Sequence, residues 1–398
     1  MRVMHIADFG RDDLALSSLF ARICSAFHDP IWRDEVGQQV VIRHNALPVE
    51  HLEVLGLNLE RLPFRRWLDF STSSRISERL QIVHPDVVLV WRPEAMGSLR
   101  LESHRCLVGV VSNYGSIAPW RSCHRLIALN EDLGDAVLEQ GWPEDLLDLP
   151  AMPVLNEIGQ AFPRKALNTP SAADLLVSTP LTKGDSGSMH LIRALADMKD
   201  AFLWLIAPRR DHRKLEALAS RHETVSRLRL LEPGLDNRAL YAAADVVVAA
   251  GTNDNLGYGV VEAWSQSRPV VGTGGMGPAG LIRHGDSGML SPAGDARALA
   301  RTLKRVLRDP MLYDRLAAGE GASMKHIIRK TWLWSTGWRA FTGLRDRRFR
   351  LDPPAGLPRS RAGMPTSRPD ISDWSFFHGC NIRSASQGRL CLYAEWSR

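Results

Sequence analysis

From Asp174 onward the chain repeats one alternation: a short apolar run, then a stretch whose apolar residues recur at helical spacing. The apolar runs are Leu175–Ser178, Phe202–Ala207, Leu228–Leu231, Val246–Ala250 and Val270–Thr273. Between them lie helical patterns at Met189–Met198, Leu215–Arg221, Arg238–Ala244 and Tyr258–Ser265. A strand that is apolar throughout must be covered on both faces, and a helix between consecutive strands supplies the crossover that parallel pairing requires. The series continues with Leu281–Arg283, the turn Asp286-Ser287-Gly288, and helices at Ala296–Leu307 and Met311–Gly319.

A fainter version of the same pattern occupies the first half. Strands are expected at Val3–Ala7, Val40–Arg43, Val87–Trp91, Leu107–Ser112 and Leu126–Ala128, with helices at Ala15–Phe27 and Arg75–Ile82. Pro143, Pro150, Pro153, Pro163 and Pro170 break any long periodic element between Trp142 and about Ala172, as a connection between domains does. The implied fold class is α/β, with two Rossmann-like doubly wound domains facing a cleft. The expected division is a first domain at 1–152, a linker at 153–172 and a second domain at 173–330. A helix at 331–344 is expected to pack back on the body through Trp332, Trp334 and Trp338, and a basic, Pro/Arg-rich tail at 345–398 to be poorly ordered.

Composition narrows the class further. With 44% hydrophobic and 24% charged residues, the 398-residue chain can bury a sizeable core and is not a disordered protein. No apolar run reaches the roughly 18 residues of a membrane-spanning helix, and the start lacks a signal-peptide pattern; a cytoplasmic protein is expected. The five cysteines are scattered without a CxxC pair, so neither a disulfide framework nor a zinc site is expected. The net charge is +6, and the segment Arg345–Arg368 alone contributes +5. The body is therefore close to neutral, which argues against nucleic acid as a partner.

Ligand chemistry is read most clearly between Val246 and Trp264. A buried strand ends in the small-residue loop Gly251-Thr252-Asn253-Asp254-Asn255-Leu256-Gly257, and a helix begins near Gly257. Open α/β sheets bind ligands outside the carboxyl ends of their strands. The amides of Asn255, Leu256 and Gly257 at a helix start suit an anion. Asp254 in the loop and Glu262 in the helix are placed to accept hydrogen bonds from sugar hydroxyls. Two further loops join them: Thr273–Gly280, where Gly274 and Gly275 allow close backbone approach to a phosphate, and Thr179–Ser188, which offers Lys183. Gly10, after the first strand, either faces a phosphate across the cleft or serves a strand-to-helix turn.

Ordered in this way, residues from about Asp174 to Leu316 resemble the donor-binding half of a family 4, GT-B-fold, retaining glycosyltransferase. The resemblance rests on Leu191-Ile192-Arg193-Ala194-Leu195, Tyr241-Ala242-Ala243-Ala244-Asp245, Asp254 through Glu262-Ala263-Trp264, and Pro269-Val270-Val271. It continues through Leu281-Ile282-Arg283-His284-Gly285 and Gly288-Met289-Leu290-Ser291-Pro292. With Arg65-Arg66-Trp67-Leu68-Asp69 and Pro85-Asp86-Val87-Val88, the chain is similar to bacterial surface-polysaccharide and lipopolysaccharide glycosyltransferases.

The resemblance implies an acceptor-binding first domain and a nucleotide-diphosphate sugar held by the second, with Asp254 on the transferred hexose and Glu262 on the ribose. Lys183 and helix amides would stabilise the departing diphosphate, and Asp254 and Lys183 are the expected catalytic residues. Retention by front-face attack needs no protein base. No cofactor and no metal are expected, because no Asp-x-Asp follows a strand. The acceptor would be a glycan or glycolipid. The chain departs from the family at four places. Asp254 shortens the first Glu of the Glu-seven-Glu motif, and the usual Arg of the phosphate-binding pair is uncharged. Gly280 replaces a Glu, and Asn113 or Tyr114 stands where many relatives carry His. These departures keep open a second reading, a catalytically impaired relative acting as a binding or assembly partner in glycan synthesis. A dinucleotide enzyme is disfavoured because no GxGxxG follows the first strand. Arg61, Arg65 and Arg66 with Phe64 and Trp67 suggest peripheral contact with the inner face of a membrane, against the plainer reading of a surface loop with a packed Trp67.

Overall fold

A computed structural model describes residues 1–10, 13–28, 34–44, 52–53, 56–64, 70–99, 106–149, 158–181, 185–233, 237–251, 256–274 and 276–317. All fall within a single unit, Met1–Leu357. The expected helix at 331–344, its three tryptophans and the basic tail lie outside the described residues.

In the first half, β1 (Arg2–Ala7), β2 (Gly37–Arg43), β3 (Asn58–Leu62), β4 (Val87–Val90), β5 (Cys106–Val111), β6 (Arg125–Ala128) and β7 (Leu147–Asp148) form one sheet in the order β3-β2-β1-β4-β5-β6-β7. Every pairing in it is parallel. The period of two along β1 sends Val3 and Ala7 to one face and Met4 and Ile6 to the other. On the first face packs α1 (Leu14–Phe27), through Leu16, Leu19, Phe20 and Ile23; on the second packs α2 (Phe70–Val83), through Ile76 and Leu80. Under α1 the rings of His5, Phe9, Phe20 and Trp91 meet mostly edge to face, with Phe20 and Trp91 centroids 5.0 Å apart. The Trp91 indole donates to Nδ1 of His5 at 3.2 Å. Burial holds that imidazole down at a pKa of about 4, partly offset by the Gln38 side chain.

A short helix that the sequence reading omitted, α3 (Glu131–Glu139), follows β6. Its start is fixed locally, since Oδ1 of Asn130 accepts the Leu133 amide at 2.8 Å and Glu131 and Asp132 occupy the first turn.

The second half holds β8 (Asp174–Ser178), β9 (Ala201–Ile206), β10 (Leu228–Leu231), β11 (Val246–Ala249), β12 (Val270–Thr273) and β13 (Met289–Ser291), ordered β10-β9-β8-β11-β12-β13 and parallel throughout. On one face lie α4 (Gly187–Ala196), α5 (Arg209–Arg221) and α9 (Ala296–Arg308), followed by a helical stretch at 310–317. On the other lie α6 (Asn237–Ala243) and α7 (Tyr258–Ser265), while α8 (Met276–Leu281) follows β12. Two parallel-sheet, Rossmann-like α/β halves are thus present.

Residues before β8 are fastened to this second sheet. Arg164 donates to the Ala243 carbonyl at 2.7 Å and pairs with Asp245 at 2.9 Å. Arg229 donates to the Leu167 carbonyl at 2.5 Å and to that of Asn168 at 2.6 Å, with its guanidinium over the Phe202 ring. The Trp204 indole donates to Oγ1 of Thr169 at 2.9 Å, and the Gly159 amide donates to Oε1 of Gln266 at 2.6 Å.

The two halves meet where α1 packs on α7, and apolar residues of both share one buried cluster. A second meeting point brings the Asp132 carboxylate over Gly280: a Cβ built on that glycine would lie 2.3 Å from Oδ2.

Candidate functional site

Strand order reverses between β8 and β11, the crevice where doubly wound sheets take ligands. Register places the ends of three strands side by side there, with Ser178 opposite Val248 and Ala249 opposite Gly272. The three loops singled out in the sequence therefore start from neighbouring strand ends. Lys183, Asp254, Asn255 and Gly275 lie outside the described residues.

α7 is buried along its whole length, unlike the half-buried helix an amphipathic pattern produces. It can sit that deep because its glycines admit close neighbours. Gly257 has φ 64°, and a Cβ on it would lie 2.7 Å from Cδ1 of Leu281 and 2.9 Å from the Gly277 carbonyl carbon. A Cβ on Gly259 would lie 2.6 Å from Cγ2 of Thr179. Thr179, the uncharged residue after β8, is thus buried under α7. Leu256 and Gly257 are buried as well.

Glu262 is only 5% exposed. Nδ2 of Asn237, from α6, donates to its Oε2 at 3.2 Å. One turn earlier lies the buried hydroxyl of Tyr258. Burial first, and then the Glu262 charge, push its pKa well up; Arg22 of α1 opposes them with its charge and a hydrogen bond to the hydroxyl. The first half therefore reaches the neighbourhood of the carboxylate through Arg22. At the far end of α7 the Trp264 indole donates to the Ser287 carbonyl at 2.9 Å and fixes the turn after α8.

At the opening of α4, the Asp185 carboxylate accepts the Gly187 amide at 2.8 Å, and the Ser188 hydroxyl donates to the Asp185 carbonyl at 2.7 Å. Gly274 is exposed, and its amide donates to the Ser291 carbonyl at 2.9 Å. Leu256, Gly257 and Glu262 are gathered on the first two turns of α7 and at its start. Gly10 lies in the other half, in the loop after β1, and its amide donates to Oδ2 of Asp13 at 2.7 Å, a strand-to-helix turn bond. Sequence reading missed Asn237, Tyr258 and Arg22. Tyr258 carried a signal, the one-turn spacing to Glu262; the other two carried none.

The first sheet reverses its order between β1 and β4. Charged groups line the strand ends around that point. Arg43 pairs with Asp8 at 2.5 Å, and Arg92 pairs with Asp13 at 3.2 Å and, more loosely, with Glu94 at 3.7 Å. The Asp8 bond and burial act in opposite directions on Arg43, whose pKa is raised on balance. Of the suggested membrane patch, Arg61 pairs with Glu53 at 2.6 Å and Phe64 is buried in the core. Arg65, Arg66 and Trp67 lie outside the described residues. Among the described residues, no three His, Cys, Asp or Glu side chains gather as a metal site and no helix is long and apolar enough to cross a membrane.

Residues 173–309 match the family described as glycosyl transferases group 1. The chain is similar to the lipopolysaccharide core biosynthesis glycosyltransferase LpsE of Rhizobium meliloti, at 25% identity over 72% of this chain and 80% of that protein. It is similar also to LpsD of the same organism, at 25% identity over 82% of this chain and 93% of that one. Among solved structures, Anabaena HepE in complex with UDP-glucose superposes with a TM-score of 0.72 at 16% identity, covering 85% of this chain and all of that one. That likeness concerns the fold, which is shared with GT-B glycosyltransferases. The family match covers the segment that builds the crevice, about a third of the chain.

Proposed function

We propose that the protein transfers a hexose from a nucleotide-diphosphate sugar to a glycan or glycolipid acceptor in lipopolysaccharide or related surface-polysaccharide synthesis, with retention and without a metal. The observation that carries this reading is Glu262, a carboxylate buried beside the strand-order reversal within the family-matched segment. A carboxylate desolvated to this degree, oriented by the Asn237 amide among its partners, suits hydrogen bonds from vicinal hydroxyls such as those of a ribose. LpsE and LpsD are named for lipopolysaccharide core synthesis, and HepE has been seen with UDP-glucose; both support the reading.

In this scheme Lys183 and Asp254 act on the diphosphate and the transferred sugar. The leaving phosphate takes the acceptor's proton, and the acceptor enters over the first sheet, near Asp13 and Arg92. Contact with a membrane at its inner face would deliver a lipid-linked acceptor.

The test is a thermal-shift series with UDP-, GDP- and ADP-sugars. One of them should raise Tm by mass action, and Glu262→Ala should remove that shift and lower kcat/KM at least about a hundredfold, the scale of lost electrostatic groups in active sites. No shift with any nucleotide sugar, or unchanged turnover in Glu262→Ala, refutes the proposal. The uncharged residue at the usual Arg position of the phosphate-binding pair and the Gly280 in place of a Glu favour the second reading, a binding or assembly partner. That reading predicts a shift without transfer.

A further inference from the structure

The outer helical layer of the second half carries charge for which the donor crevice has no use. α9 holds Arg297, Arg301, Lys304, Arg305 and Arg308 and contains no Asp or Glu. With 3.6 residues per turn these five fall within an arc of about 100° and run for roughly 16 Å along the helix. The four arginines are exposed, while Ala298, Leu299, Ala300, Leu303 and Val306 bury the opposite side.

The acids flanking α9 are committed elsewhere. Oδ1 of Asp295 accepts the Ala298 amide at 2.9 Å, and Oδ1 of Asp309 accepts the Leu312 amide at 3.0 Å. Among the described residues none of the five cations enters an ion pair, although Arg308 lies near enough to Asp174 to be felt by it. On α5, by contrast, Asp211 and Glu216 intersperse the cations, and Arg209 pairs with Glu232 at 3.0 Å.

Helix stability accounts for only part of this stripe, since Arg305 and Arg308 lie in the last turn, where the dipole favours cations. Like charges one turn apart repel, and Arg297 and Arg301 sit toward the positive end of the helix dipole. At the stripe's end stands Met311, a large apolar side chain that is 82% exposed, between Arg308 and the exposed Arg315.

We propose that the Arg297–Arg308 face of α9 docks on a bilayer bearing anionic phosphate headgroups, with Met311 entering the headgroup layer. This goes beyond the donor reading and does not depend on it. Guanidinium groups match phosphate oxygens in two-pronged hydrogen bonds, and four to eight cations on an amphipathic helix is the arrangement anionic lipid surfaces attract. The absence of any aromatic residue on α9 disfavours nucleic acid, whose bases stack on such rings. The exposed methionine favours a lipid surface over an acidic protein.

The experiment sediments the full-length chain with phosphatidylcholine vesicles, with and without phosphatidylglycerol. Binding is expected only with phosphatidylglycerol, and is expected to fall at high salt. Arg301→Glu/Arg305→Glu should lower partitioning about thirtyfold, and Arg301→Lys/Arg305→Lys should keep most of it. Arg210→Glu/Arg213→Glu on α5 should match the parent. Thermal melts identify folded variants, and Arg301→Ser/Arg305→Ser, expected to weaken binding by a smaller factor, stands in for a charge reversal that does not fold. Unchanged binding in both α9 acidic and serine variants, no binding to anionic vesicles, or capture by nucleic acid or acidic protein without vesicle binding overturns the proposal. Thermal shifts with UDP-, GDP- and ADP-sugars on the same samples separate the two readings. A parent that binds vesicles but shows no shift sinks the donor assignment alone.

Discussion

His5 and Glu262 are both buried polar side chains. His5 is kept neutral, with a pKa of about 4 against the usual 6.5. Unfolded, it takes up a proton below about pH 6.5; folded, only below about pH 4. Its contribution is therefore complete above that upper value and is lost as pH falls through the window, up to about 3 kcal/mol. Urea midpoints should fall correspondingly on acidification, and His5→Gln should flatten the slope across that window; an equal slope in the variant would show that other groups govern it. Glu262 was legible as a helix carboxylate at a strand-to-helix junction. Its depth was not, because its Asn237 partner stands 25 residues away and follows no spacing rule. Gly10 was readable in two ways, and its bond to Asp13 accounts for the turn.

Contact at element scale is tightest where α4 crosses the end of β11. A Cβ on Gly187 would lie 1.9 Å from the Ala250 carbonyl oxygen. Gly187→Ala must move backbone against backbone, and should cost about 1–3 kcal/mol in a denaturant melt. On Gly274 a Cβ would find its nearest atom at 3.9 Å, so Gly274→Ala should leave the melt almost unchanged. Elements whose signal is a continuous apolar run, such as β4, β11 and β12, were legible because both of their faces are covered. β3 was not: its sequence Asn-Leu-Glu-Arg-Leu sits at the sheet's edge and is only partly buried. β7 and β13 are likewise edge strands, of two and three residues, too short to show a period. α3 had its start written in Asn130, but nine residues give a weak helical signal.

For the whole molecule, the described residues bring the two halves together where α1 packs on α7 and where Asp132 lies over Gly280. Asp132 is pushed toward protonation by burial and by the neighbouring Asp135 and Glu131 charges, and it fits only because position 280 has no side chain. Gly280→Glu would set two carboxylates together and should open the halves, seen as a larger radius of gyration in small-angle scattering. Asp132→Ala in the same chain should reverse most of the change. An unaltered radius would mean that α1 and α7 hold the halves alone. The two-sheet plan was legible from strand runs and proline breaks, but contacts such as Arg22 with Tyr258 join residues more than 200 positions apart, which no local pattern encodes.

The fastening of residues 158–169 by Arg164, Arg229 and Gln266 has a mechanical consequence. That stretch travels as cargo of the second half, so any swing between the halves must pivot upstream of Gly159. A separately expressed second half would have to begin ahead of that glycine. Started at residue 173, it would expose the Trp204 indole and leave Asp245 without its guanidinium.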